Sequence, residues 1–238
     1  MTGTLSGTLM GIGVGPGDPE LMTLKAHRLI SVARVVAYPA PDSGESFARR
    51  IAAGVIPASA EEIPMVVSMK AERFPAQQVY REAAERIAGH LEAGTDVAVL
   101  CEGDPFFYGS FMYLFARLAE RFPVEIVPGV NSLNACAAVL KRPLTARNDV
   151  LTVLPAPLPD DALRERIEAA EAVAIMKVGR HLPRIRALLD GMGLTERAGY
   201  IERASLGEEH VSPLAEAPET APYFSMILIY KGIDPWLT

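Results

Sequence analysis

The stretch Gly11-Ile12-Gly13-Val14-Gly15-Pro16-Gly17-Asp18-Pro19-Glu20-Leu21-Met22-Thr23 constrains this chain more than any other. Thr8-Leu9-Met10 before it is short and apolar and reads as the start of a strand. After it, Leu21, Leu24, Leu29, Ile30 and Ala33 suit one face of a helix over 24–33. Asp18, Pro19 and Glu20 belong near a helix start, because a carboxylate favours the N-terminal dipole and proline tolerates the first turn. The unit is therefore strand, glycine-rich turn, helix, and in α/β proteins ligands sit at that junction.

Two phosphate-binding loops are excluded. The dinucleotide pattern G-x-G-x-x-G fails in both registers, since its last glycine is Pro16 counted from Gly11 and Asp18 counted from Gly13. No Gly-Lys-Ser/Thr follows, so there is no P-loop. A tight turn without a ligand remains open at this point.

Strands and helices then alternate. Strands are expected at 35–38, within 61–67, and at 96–101 and 124–127, with helices at 46–53, 76–93, 111–121 and up to Leu140. In the helix over 76–93, Val79, Ala83, Ile87 and Leu91 repeat every four residues, Glu82 and Arg86 are expected to pair at i,i+4 on its wet side, and Gly94 is a natural stop. Ser110 is expected to cap the helix from Phe111, and Asp160 or Asp161 the one over 162–170. Further strands are expected at 150–154, 172–176, 198–201 and 224–230, with a helix carrying Leu182, Ile185, Leu188 and Leu189 inward. The pattern predicts two α/β lobes, over 1–127 and 128–238, hinged near 128–148, each around a mostly parallel sheet.

Composition narrows the partners. The 238 residues are long enough to build a core without staples, and the net charge is -6. Residues 1–127 carry 11 Lys/Arg against 15 Asp/Glu, and residues 128–238 carry 12 against 14, so neither half is a basic module for nucleic acid. Cys101 and Cys136 show no C-x-x-C spacing, which fits a reducing cytoplasm. No signal peptide or membrane span is read, and the four histidines lack metal-site spacing, so no metal is assigned.

Three strand ends carry the chemistry: Gly11–Asp18, Glu102–Gly109 and Pro128–Ser132. Strand C-termini of a parallel sheet share one edge, so these loops are expected to converge. Gly103 and Gly129 let backbone approach a ligand, Glu102 and Asp104 can accept hydrogen bonds, and Phe106, Phe107 and Tyr108 can wall a planar ring.

Together, G-x-G-P-G-D-P-E-L-x-T at 13–23, E-G-D-P-F-F-Y at 102–108 and V-P-G-V at 127–130 resemble the tetrapyrrole methylases, class III methyltransferases that use S-adenosylmethionine. The likeness spans nearly the whole chain, including Ile175-Met176-Lys177-Val178-Gly179-Arg180-His181. Tyr38-Pro39, Glu45-Ser46-Phe47-Ala48, E-G-D-P-F-F-Y-G-S-F-M-Y and K-V-G-R-H look like the branch that methylates C20 of precorrin-2. The resemblance implies two αβα lobes with the cofactor cleft between them, and a homodimer. It implies donor contacts at Pro16, Glu102, Gly103, Asp104 and Phe107. Asn131 and Ser132 stand where relatives often show Thr-Ala, Val178 where Met is common, and Ala204 where Gly is common.

The implied acceptor is a tetrapyrrole rich in carboxylates, metal-free or cobalt-loaded. Arg49, Arg50, Arg180 and His181 are the candidate clamps, with Tyr38 and Tyr108 as further substrate-facing residues. A solvated helix face competes for Arg49 and Arg50, and a core position for the tyrosines. Other steps of tetrapyrrole methylation, a macromolecular acceptor within the superfamily, or a nucleotide-binding module without chemistry are the alternatives.

Overall fold

The computed structural model describes residues 6–67 and 73–232. Every residue of β1 (Leu9–Gly13) and β4 (Val97–Cys101) is buried. A strand covered on both faces needs apolar residues throughout rather than in alternation, and LMGIG and VAVLC supply them. With β2 (Val35–Pro41), β3 (Glu61–Val67) and β5 (Val124–Val127) they form a sheet of order β3-β2-β4-β1-β5. All its pairings are parallel.

Helices cover both faces. Ala26 and Ile30 of α1 (Leu24–Ile30) and Ala48 and Ile51 of α2 (Phe47–Ile51) pack with Met10, Ile12, Val36 and Leu100. On the other face, α3 (Arg73–Glu92) and α4 (Phe111–Leu118) meet Leu9, Val97 and Val99. Thr23 caps α1 by accepting the Ala26 N–H at 3.2 Å, and Asp18 caps a single 3-10 turn, Pro19–Leu21, at the Glu20 N–H.

Two helix expectations need correction here. Ser110 precedes α4 in helical conformation and makes no side-chain cap bond. Glu82 receives Gln78 at 2.9 Å, while Arg86 reaches Glu61 at 2.7 Å, because β3 offers Arg86 a carboxylate off its own helix.

The chain parts into two compact units between Asn131 and Ser132. The second contains α5 (Ser132–Leu140), β6 (Leu151–Pro155), α6 (Asp160–Ala169), β7 (Ala172–Met176), α7 (Leu182–Gly191), β8 (Ala198–Glu202), β9 (His210–Pro213) and β10 (Ser225–Tyr230). Its sheet order is β6-β7-β10-β8-β9. Here the parallel expectation holds for β6 and β7 alone, since β10 is antiparallel to β7 and β8, and β9 to β8. The cause lies in the connections: no α-helix lies between β8 and β9 or between β9 and β10, and parallel neighbours need a long crossover. At α6 the cap position is Pro159, with Asp160 and Asp161 inside the first turn, where they face the positive end of the dipole.

Candidate active site

β4, β1 and β5 are neighbours, so the turns leaving their C-terminal ends meet. Val14 donates to the Cys101 carbonyl at 2.9 Å, and Gly103 donates to the Gly15 carbonyl at 2.8 Å. Gly15 (φ +89°) and Gly103 (φ +62°) are left-handed, a conformation that side chains disfavour. A Cβ on Gly13 would stand 2.5 Å from the Gly103 oxygen and 2.7 Å from the Gly129 Cα; one on Gly129 would be closer still to that oxygen. Three glycines therefore let three turns pack backbone on backbone.

Asp104 holds them together. Its Oδ1 accepts from the N–H groups of Phe106 (2.9 Å) and Phe107 (3.1 Å), and its Oδ2 from the Gly129 N–H at 3.1 Å. Both carboxylate oxygens thus hold the loops. Pro16 is half-buried between Gly15 and Gly17, and Asn131 is half-buried just beyond Gly129. Phe107 is half-buried with its ring edge-on to Tyr108 at 5.2 Å. Tyr108 is exposed and left-handed at φ +56°, a strain of the kind that gathers at functional sites.

Glu102, between β4 and this loop, lies against α2. Burial pushes the proton affinity of its carboxylate up, against the pull of its own backbone and that of Ala48. The same short helix is fastened twice more, by Ser46 donating to the Pro39 carbonyl at 2.5 Å and by Arg49. Arg49 grips Glu62 of β3 with two parallel bonds, Nε–Oε2 at 2.8 Å and Nη2–Oε1 at 3.0 Å, and Tyr38 donates to the same carboxylate at 2.6 Å. Arg49, then Tyr38, hold the Glu62 carboxyl below the usual range, while burial and Glu62 push the Tyr38 phenol up. Arg49, expected as a candidate clamp, and Tyr38, expected as a substrate-facing residue, are thus both bonded to Glu62 inside the first unit. Arg50 is exposed, with its guanidinium 5.1 Å from the Phe47 ring centre.

The second unit carries the remaining candidates. Val178 is fully buried, Ala204 and Ser132 are half-buried, and Arg180 is exposed. Burial, then Arg184 and Arg180, push the His181 imidazole down. Lys177 (φ +58°), Arg203 (φ +47°) and Ser205 (φ +66°) are left-handed beside Val178 and Ala204.

Sequence reasoning missed Glu62. Its one signal is the β2–β3 register, which opposes it to Val36, two residues from Tyr38 on the same face. Among the described residues no group of three metal-ligating side chains occurs, and no helix is long and apolar enough to cross a membrane.

The family described as Tetrapyrrole (Corrin/Porphyrin) Methylases matches residues 8–218. A precorrin-2 C(20)-methyltransferase of Sinorhizobium sp is 41% identical over 96% of this chain and 97% of its own length. The cobalamin biosynthesis protein CobIJ of Mycobacterium tuberculosis is 45% identical over 95% of this chain, which spans 46% of that longer protein. The uroporphyrin-III C-methyl transferase of Thermus thermophilus, solved with S-adenyl homocysteine, superposes with a TM-score of 0.68 at 27% identity, covering 93% of this chain and 97% of that one.

Proposed function

Because this chain belongs to the tetrapyrrole (corrin/porphyrin) methylase family, we propose that it transfers a methyl group from S-adenosylmethionine to C20 of precorrin-2 in cobalamin biosynthesis. The observation that carries the reading is the glycine edge: a Cβ at Gly13 or Gly129 would strike neighbouring main chain, and Gly15 and Gly103 are left-handed, so three bare turns meet at one end of the sheet. That edge fits a donor seated against main chain, with Pro16, Gly103, Phe107 and Asn131 to hold it and Asp104 to keep its walls in place. Bound there, the sulfonium supplies an already activated methyl group, so the protein contributes alignment and exclusion of water, worth on the order of 7–11 kcal/mol. No nucleophilic side chain is required.

Arg180 and Tyr108 face the acceptor's carboxylates and ring. Arg49 acts indirectly, by fixing α2 through Glu62. The acceptor is the metal-free macrocycle, as in the name of the 41% identical relative. The protein works in the cytoplasm, in keeping with two buried free thiols, Cys101 and Cys136.

It does so as a homodimer. Phe106 and Tyr113 are 46% and 49% exposed, and Phe106 packs edge-on against Phe115 of α4 at 5.2 Å. With Met112 they are large apolar side chains left exposed on α4 and the loop before it, the kind of residue that marks interaction surfaces. A second copy covers them.

The test is direct. Calorimetry with S-adenosylhomocysteine is expected to show one site per chain, and labelled donor is expected to methylate metal-free precorrin-2 at C20, located by NMR. Uroporphyrinogen III and cobalt-precorrin-2 serve as competing acceptors. A folded protein that binds no S-adenosylhomocysteine sinks the reading.

A further inference from the structure

We propose that Tyr223 and Phe224 are the platform on which the second unit seats the ring of the acceptor, with Arg180 and Arg203 at its rim for the carboxylates. This rests on the function proposed above and deepens it.

In the second sheet, β7 and β8 leave by the end at which the antiparallel β10 enters, since Met226 pairs with Met176 and Ser225 with Glu202. The turns after β7 and β8 and the residues before β10 therefore lie together. Ser225, buried at the start of β10, ties two of these segments. Its hydroxyl accepts the Gly179 N–H at 3.2 Å and donates to the Pro222 carbonyl at 2.7 Å. Arg203 ties the third, its backbone N–H donating to the Phe224 carbonyl at 2.9 Å. A Cβ on Gly179 would stand 4.0 Å from the Tyr223 Cα, so the turn that carries Arg180 runs directly past the aromatic pair. Tyr223 and Phe224 thus sit between two arginine-bearing turns.

Their backbone is pinned on both sides, yet the rings are 56% and 43% exposed and meet edge-on at 5.2 Å. Large rings held at a fixed place in water are a preorganised contact surface. A flat macrocycle offers the apolar face that aromatic rings stack on, and its rim of carboxylates matches the guanidinium fork. Arg180 is exposed, and Arg203 Nε lies 3.6 Å from Glu208 Oε2, a long pair with solvent around both groups. Such a pair is worth little, so exchanging Glu208 for an acceptor carboxylate costs little. An open cavity of about 560 Å³ lies between Arg203 and Pro222, with His210 and Thr220 as further donors and Glu202 bonded to the Tyr200 hydroxyl at 2.5 Å. It has room for one arm of the ring.

The experiment replaces both rings in the full chain, Tyr223→Ala with Phe224→Ala. KM for metal-free precorrin-2 is expected to rise about tenfold or more, with kcat and S-adenosylhomocysteine affinity near wild type. Tyr223→Phe with Phe224→Tyr, which keeps two rings, is expected to restore KM. Arg203→Gln is expected to raise KM and to flatten its dependence on salt, because one charge contact is gone. If the alanine pair does not fold, Tyr223→Leu with Phe224→Leu carries the same test, keeping apolar bulk without a ring. An unchanged KM overturns the assignment. So does an equal loss of S-adenosylhomocysteine affinity, or a fall in mass by sedimentation, because the rings would then serve the donor or a second copy. Each of these results leaves methylation of precorrin-2 by the wild type standing. A wild-type protein that binds S-adenosylhomocysteine and methylates no tetrapyrrole overturns the functional reading itself, and this proposal with it.

Discussion

The strand ends of the two units bend the chain by opposite means. In the first, Gly15 and Gly103 take the left-handed conformation, and Gly13 and Gly129 lie so close to neighbouring backbone that a single carbon would collide. In the second, the left-handed positions after β7 and β8 include Lys177, Arg203 and Ser205, which keep their side chains, beside a single glycine, Gly179. Glycine is needed where main chain must touch main chain; a loop that merely turns can carry a side chain at modest strain. The contrast predicts where substitution is ruinous and where it is nearly free.

The largest effect is expected in the first unit. Gly13→Ala drives a Cβ into the Gly103 carbonyl and the Gly129 main chain, none of which can rotate aside. A loss of about 3 kcal/mol is expected, with abolished S-adenosylhomocysteine binding, read by denaturant unfolding and calorimetry. Gly199→Ala in the second unit sharpens the point. There the new carbon meets the side chain of Leu140, 2.6 Å from Cδ1, which can shift, so a smaller loss is expected. Equal costs for the two would break the comparison.

Asp104→Ala comes next. It orphans the N–H groups of Phe106, Phe107 and Gly129, for a cost of about 2 kcal/mol and a weaker hold on S-adenosylhomocysteine. Asp104→Asn keeps one acceptor oxygen and is expected to fall between.

Glu62→Gln is smaller, about 1 kcal/mol, because the Arg49 pair is partly exposed. Its signature is in pH. The folded Glu62 carboxyl lies below its unfolded value of about 4.3, so its contribution is complete above that value and vanishes as pH falls through the folded one. Wild type is therefore expected to lose melting temperature on acidification more steeply than the variant, and acceptor KM is expected to rise as α2 loosens.

These outcomes follow how legible the chain was. Continuous apolar runs such as VAVLC betray buried parallel strands, and glycines at three strand ends betray a shared edge, so the first unit and its turns could be read directly. What lay beyond reading depends on neighbours distant in sequence. Asp104 turns inward because Gly129, on another strand, offers it an N–H. Arg49 is engaged because the β2–β3 register carries Glu62 to it, and the His181 imidazole is pushed down because folding buries it near Arg184 and Arg180. β9 escaped notice since His-Val-Ser-Pro is four residues long, ends in proline and shows no apolar run.

The smallest prediction runs the other way and bears hardest on the comparison. Ser205 is left-handed at φ +66°, and its backbone N–H donates to Glu209 at 2.7 Å, a bond that glycine would retain. Ser205→Gly removes the Cβ strain, about 1–2 kcal/mol, against the entropy that glycine loses on folding, about 0.5–1 kcal/mol. A net gain of about 0.5 kcal/mol is expected, visible as a small rise in melting temperature with S-adenosylhomocysteine affinity unchanged. If Ser205→Gly instead weakened that affinity, the side chain would be part of the donor site, and the second unit's strained loops would be under the same demand as the glycine edge. Their strain would then serve ligand contact rather than mere turning.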